Sequence, residues 1–164
     1  MNCLRSALVS VLLLCGFVLV LAQDVKSPVP NTPEQVGASI VEALKNRDVA
    51  VLTGLVAPAG ITVGTDGPTI PPAVFKRQLQ LKRGVYCVLM DGACINGAGK
   101  NSEDDSLRGM ILRQPIKLDV HSVGDAPKVV EVVIRRESNP HEILFNLFLK
   151  NDRGSWKLES IEYD

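Results

Sequence analysis

An α+β fold, with helices ahead of an antiparallel sheet, follows from three features of the 164-residue chain. Apolar residues recur at helical spacing from Thr32 to Val56. Four short segments between Ile116 and Tyr163 alternate or run apolar, parted by polar turns bearing glycine or proline. The length suits a single core and leaves little room for a second domain.

The elements can be justified in order. Thr32-Pro33-Glu34-Gln35 is a helix start: Thr32 caps, Pro33 fills the first turn and Gln35 completes a capping box. Val36, Ile40, Val41 and Leu44 fall on one face of that helix. Asn46 or Asp48 caps a second short helix carrying Val49, Leu52, Leu55 and Val56, stopped by Pro58 and Gly60. Gly60 to Gly64 and Pro68 to Ile70 form a short hairpin turning at Thr65-Asp66-Gly67. Pro71-Pro72 opens a third helix, Ala73 to Lys82, which Gly84 ends. Val85 to Met90 is an apolar run whose state periodicity leaves open, and Gly97 to Ser106 has loop composition. Ile116, Leu118 and Val120 then alternate with Lys117, Asp119 and His121, as in a half-buried strand. Turns at Gly124–Pro127, Ser138–Pro140 and Asn151–Gly154 separate strands Lys128–Arg136, His141–Lys150 and Ser155–Tyr163. Ile143 to Leu149 is apolar on both faces apart from Asn146, which makes that strand the central one.

Composition excludes several classes of function. Eighteen Lys+Arg balance eighteen Asp+Glu, so there is no basic footprint for nucleic acid or an anionic membrane. Aromatics are 4% of the chain, too few for a surface built to stack bases or sugars. At the N-terminus Arg5 precedes the apolar run Ala7 to Leu21, and Val20-Leu21-Ala22 suits signal peptidase. The run is about 15 residues, below the roughly 20 that span a bilayer as a helix. Residues 1–22 therefore read as a secretory signal, 23–31 as a flexible leader and 32–164 as the domain. The expected location is periplasmic or extracellular, with no membrane contact after cleavage.

Cleavage removes Cys3 and Cys15 and leaves Cys87 and Cys94. In an exported chain this pair reads as one disulfide closing a small loop, worth about 2–3 kcal/mol in the chain-entropy model. Redox pairs have tighter spacing, and a zinc site needs two more ligands, so neither a metal nor a cofactor is expected.

The order of elements, helices followed by an antiparallel meander, resembles the NTF2-like (SnoaL-like, cystatin-like) superfamily. Ala43-Leu44-Lys45-Asn46-Arg47-Asp48, with Leu52 and Leu55 after it, is similar to the helix–kink–helix entry of such domains. Asp152-Arg153-Gly154-Ser155-Trp156-Lys157-Leu158, with Ile161, is similar to their final hairpin. The resemblance spans roughly Thr32 to Tyr163 and implies a curved sheet wrapped around the first helix as a cone. It also implies dimerisation through the sheet. These segments report scaffold positions, so no set of functional residues is carried over.

Other motifs fail on their chemistry. In Gly97-Ala-Gly99-Lys100, Cys94 and Asn101 stand where a phosphate loop needs glycine and Ser or Thr. Glu103-Asp104-Asp105 lacks the alternating ligands and glycine turn of a calcium loop. Gln35-Val36-Gly37 starts a helix, so it is not the hairpin-tip motif of protease-inhibiting cystatins. The candidate ligand contacts are Asn146, Tyr86 and His121. Asn146 is an amide among apolar residues that needs a partner, Tyr86 lies beside Cys87, and His121 carries an imidazole, the side chain suited to a general base.

The leading expectation is an exported, non-catalytic module that binds a small apolar ligand or a protein partner in or around the cone. The alternatives are an isomerase- or dehydratase-type enzyme using the same cone, and a structural envelope protein. Convergent titratable groups inside the cone would mark the enzyme.

Overall fold

Helix α1, Pro33–Asn46, sets the layout, and its start is capped much as the sequence implies. In the computed structural model, which describes residues 30–97, 102–124 and 128–163, Thr32 Oγ1 accepts the Gln35 N–H at 3.3 Å. The Gln35 side chain returns to the N–H of Asn31 at 3.0 Å, one residue before the cap itself. Val36, Ile40, Val41 and Leu44, the stripe expected from periodicity, are all buried. Asp48, not Asn46, caps α2 (Val49–Leu55) by accepting the Val51 N–H at 3.0 Å.

The C-terminal third forms β2 (Ile116–Ser122), β3 (Val129–Arg136), β4 (Asn139–Asp152) and β5 (Ser155–Glu162). They pair as an antiparallel meander in a five-stranded sheet completed by β1 (Thr62–Val63), with β4 in the middle of the order β1-β5-β4-β3-β2. The sheet is curved. Its register shifts opposite Ile134/Arg135 and again after Phe148, and such bulges bend a strand pair. Phe145, Leu147 and Leu149 of β4 face the core with Val132 and Ile134 of β3, in one cluster with the stripe of α1.

The expected hairpin near residue 65 is a correction. Ile61 and Ile70 make one antiparallel bridge, with N–H to carbonyl distances of 3.0 and 2.8 Å. Pro68 and Pro71 flank that bridge and have no N–H to extend a ladder. Strand β1, Thr62–Val63, pairs with β5 instead and runs parallel to it, which makes the sheet mixed.

Helix α3 is Pro72–Gln80, and the unassigned run Val85–Met90 is helix α4. Gly84 (φ 59°) allows the turn between them, where Gln78 Oε1 accepts the Val85 N–H at 3.0 Å. Val85, Tyr86, Leu89 and Met90 are buried, so this run is core helix and not strand. Part of the expected Gly97–Ser106 loop lies outside the described residues; one 3-10 turn, Gly92–Gly97, leads into it and another, Glu103–Asp105, lies within it. Helix α5, Leu107–Leu112, was not expected. Its cap, Ser106, is fully buried and accepts the Gly109 N–H at 3.1 Å. The cysteines expected to pair do so: the Cys87–Cys94 disulfide ties α4 to the turn after it. The expected signal and leader fall outside the described residues, apart from Pro30 and Asn31.

Two helix glycines separate tight packing from open space. A Cβ on Gly37 of α1 would come within 2.9 Å of Val132 Cγ1 and 3.2 Å of Leu118 Cδ2, whereas one on Gly54 of α2 would meet nothing within 4 Å. Gly37→Val is expected to destabilise the fold by about 1–3 kcal/mol through overpacking. Gly54→Ala is expected to stabilise it by about 0.5 kcal/mol through helix propensity. Urea unfolding of the two variants checks both signs.

Candidate functional site

The cone holds side chains rather than space. Phe75 and Leu79 of α3, Leu89 and Met90 of α4, and Phe145 and Leu147 of β4 are each at most 1% exposed and belong to one cluster. Open volume lies outside the cone, in a groove of about 920 Å³ between α2 and α3. Val49, Ala50, Thr53 and Gly54 form its α2 wall, at the spacing that places residues on one helix face. Ala73, Lys76 and Gln80 line it from α3, and Tyr86 reaches it from α4.

Three cations border the groove: Arg47, Lys76 and Lys82. Arg47 follows the last residue of α1 with φ 54°, and its N–H caps the carbonyls of Ala43 and Leu44. Lys82 lies two residues beyond α3 with φ 51°, its N–H bound to the Leu79 carbonyl at 3.2 Å. No carboxylate is among the lining residues. The nearest acid in sequence, Asp48, caps Val51 and borders a different hollow, with Ser39 and Glu42.

The structure does not bring the three expected ligand contacts together. Tyr86, 5% exposed, belongs to the groove. His121 is exposed on edge strand β2, opposite Glu131. Asn146 lies on the outer face of β4, opposite Val133 and Glu162. It borders a hollow of about 180 Å³ with Thr65, Ile143, Leu144, Glu162 and Tyr163. Its Oδ1 is shielded from solvent and has no hydrogen-bond partner. Burial also pushes the Tyr163 phenol above its ordinary value.

The outer sheet face carries an ionic cluster. Asp119 receives Lys117 Nζ at 2.8 Å and Arg135 Nε at 3.4 Å, and Arg135 also donates to the Pro140 carbonyl at 3.1 Å. The Lys117 hydrogen bond holds the Asp119 carboxyl below its ordinary value; partial desolvation opposes this, and the charges of Lys117, Arg135 and His121 add to it. Among the described residues no group of three or more His, Cys, Asp or Glu side chains is placed to hold a metal ion. No helix among them is long and apolar enough to cross a membrane.

Sequence reasoning missed the groove's cations. Arg47 was legible only as part of a scaffold segment, and Lys76 and Lys82 only as polar positions of a helix. The cue was present in the small residues Ala50, Thr53 and Gly54 on one helix and Ala73 on the other. That these faces oppose each other is a tertiary fact.

Two substitutions test the outer face. Asn146→Leu removes an orphaned acceptor beside Leu144 and Phe148 and is expected to raise unfolding free energy by about 1 kcal/mol. A loss in urea unfolding would mean that a donor satisfies the amide in solution. Asp119→Asn is expected to lower stability at neutral pH. A carboxylate with a depressed folded value contributes above its unfolded value, near pH ~3.9, and loses that contribution as pH falls through the folded one. The parent and variant urea midpoints should therefore converge in acid.

No protein-family model and no curated protein sequence matches the chain. Solved structures similar to it include an NTF2-like protein of unknown function from Pseudomonas putida KT2440, 10% identical with a TM-score of 0.43, covering 80% of this chain and 82% of that one. A protein of unknown function with a cystatin-like fold from Nostoc punctiforme is 12% identical, with a TM-score of 0.41 and 80% and 87% covered. A DUF4783 family protein from Bacteroides uniformis is 9% identical, with a TM-score of 0.40 and 82% and 96% covered. The layout of helices against a five-stranded curved mixed sheet is read directly from the chain's own strand order and register.

Proposed function

We propose that this chain is an exported, non-catalytic module that seats a small ligand beside its cone, in the groove between α2 and α3. The observation that carries the proposal is the contrast between a cone filled by Phe75, Leu89, Met90, Phe145 and Leu147 and a groove of about 920 Å³ standing open next to it. That volume lies within the range of small-molecule sites, and the lining combines apolar walls with a few polar groups. The titratable groups at the groove are Arg47, Lys76, Lys82 and Tyr86, with no carboxylate or histidine among the lining residues. That set suits holding a ligand better than passing a proton at neutral pH.

A second contact is proposed through the outer sheet face, between two copies of the chain. Ile143 is 48% exposed there, and Phe148 is half-buried on the same face of β4 as Asn146, which pairs with Val133. Export is supported by the N-terminal apolar run and by the Cys87–Cys94 disulfide, which fits an oxidising compartment.

Native mass spectrometry of protein expressed with its N-terminus and purified without reductant tests all three parts. The expected species begins at Gln23, has lost two hydrogens to the disulfide, carries a non-covalent small-molecule mass and runs as a dimer. A retained Met1 overturns export. A bare protein that also takes up no added hydrophobic probe overturns the binding role, and a monomer at micromolar concentration overturns the dimer.

A further inference from the structure

We infer that a second hollow, where α3 turns into α4, binds a dianionic phosphate group, free or as a monoester, through Arg77 and Arg83. The inference does not depend on the α2–α3 groove, because none of the residues lining this hollow lines that groove.

The sequence concentrates charge here. Between Asp66 and Asp91 there is no Asp or Glu, while Lys76, Arg77, Lys82 and Arg83 all fall in that stretch of a chain whose charges balance overall. Val74, Arg77 and Gln78 stand three and four residues apart on α3 and share a face. Arg83 and Gly84 follow in the loop before α4. These five residues line a hollow of about 340 Å³, with no carboxylate among them.

What the hollow has left to offer is donors. The carbonyls of Arg77, Gln78, Arg83 and Gly84 already accept the N–H groups of Leu81, Arg83, Tyr86 and Cys87 in turn. Gln78 Oε1 accepts the Val85 N–H at 3.0 Å, which fixes the amide and leaves its Nε2 to donate. A Cβ on Gly84 would come within 2.5 Å of that Oε1, so glycine is what lets the loop and the amide approach. Neither Arg77 nor Arg83 forms an ion pair with any described residue.

Two guanidinium charges with no acid beside them match a dianion. Their planar forks suit paired oxyanion oxygens, and a phosphate monoester supplies close to two charges and three strong acceptors. A carboxylate supplies one charge and two oxygens. The competing explanation is structural: Arg77 lies in the last turn of α3, where any cation interacts favourably with the helix dipole.

Titration of the oxidised protein with inorganic phosphate, phenyl phosphate and acetate, followed by heteronuclear NMR, separates these explanations. At pH ~8 the phosphate ester is a dianion. Saturable shifts are expected at the Nε–H signals of Arg77 and Arg83 and at the Gly84 N–H, with acetate about tenfold weaker than phosphate. The tighter of the two phosphates names the source. The double variant Arg77→Lys, Arg83→Lys keeps both charges and is expected to lose about tenfold in phosphate affinity at an unchanged melting temperature. Affinity equal to the parent's in that variant would mean that diffuse charge alone attracts the anion, and would overturn the inference. If the double variant melts lower, Arg83→Lys alone decides, since Arg83 lies beyond the helix: a loss supports the inference and retained affinity overturns it. Acetate binding as tightly as phosphate, shifts centred on Lys76 and Lys82, or no saturation would each overturn it as well.

Discussion

The close approach of α1 to the bent sheet governs the rest of the molecule. Gly37 lets the helix backbone lie against Val132 and Leu118, and the stripe Val36, Ile40, Val41 and Leu44 then meets β3 and β5 without a gap. Each apolar side chain so buried contributes on the order of 1.5–3 kcal/mol relative to exposure. The sheet follows the helix by bulging where Leu144 is extra on β4 and where Glu159 is extra on β5. Curvature and helix position are thus two sides of one packing solution.

Much of this was legible because it is local. Helix α1 announces itself by cap and stripe, and strands β2 to β5 by alternation and turn residues such as Asn151, whose Oδ1 accepts the Gly154 N–H at 2.9 Å. The errors arise where partners far along the chain decide the outcome. Thr62–Val63 looked like a hairpin arm because its own neighbourhood contains turn residues, but its pairing partner, Ser160–Ile161, lies almost a hundred residues away. Val85–Met90 gave no periodicity because it is buried nearly all round, as a core helix is. Helix α5 is six residues long and carries a glycine, too short for a pattern to emerge.

The candidate site was less legible than the fold, for a physical reason. Tyr86 was singled out from sequence and does line the groove, but the resemblance pointed to chemistry inside the cone. Phe75, Leu89 and Met90 occupy that interior instead, and their apolar character alone does not reveal that they fill it. Filling the cone with α3 and α4 leaves the outer flank of α3 facing the small residues Ala50, Thr53 and Gly54 of α2 across open space. The groove is therefore a product of how the core was closed.

The disulfide sits at the joint between these two consequences. It fastens α4, whose Leu89 and Met90 plug the cone and whose Tyr86 reaches the groove, to the turn that follows. A six-residue helix has little stability of its own, so its hold on both sites depends on tertiary contacts and on that link. A bond that persists in an oxidising compartment then fixes the plug, and with it the groove wall, where the N-terminal apolar run would deliver the chain. On this argument the proposed export and the proposed ligand seat are coupled through one short helix.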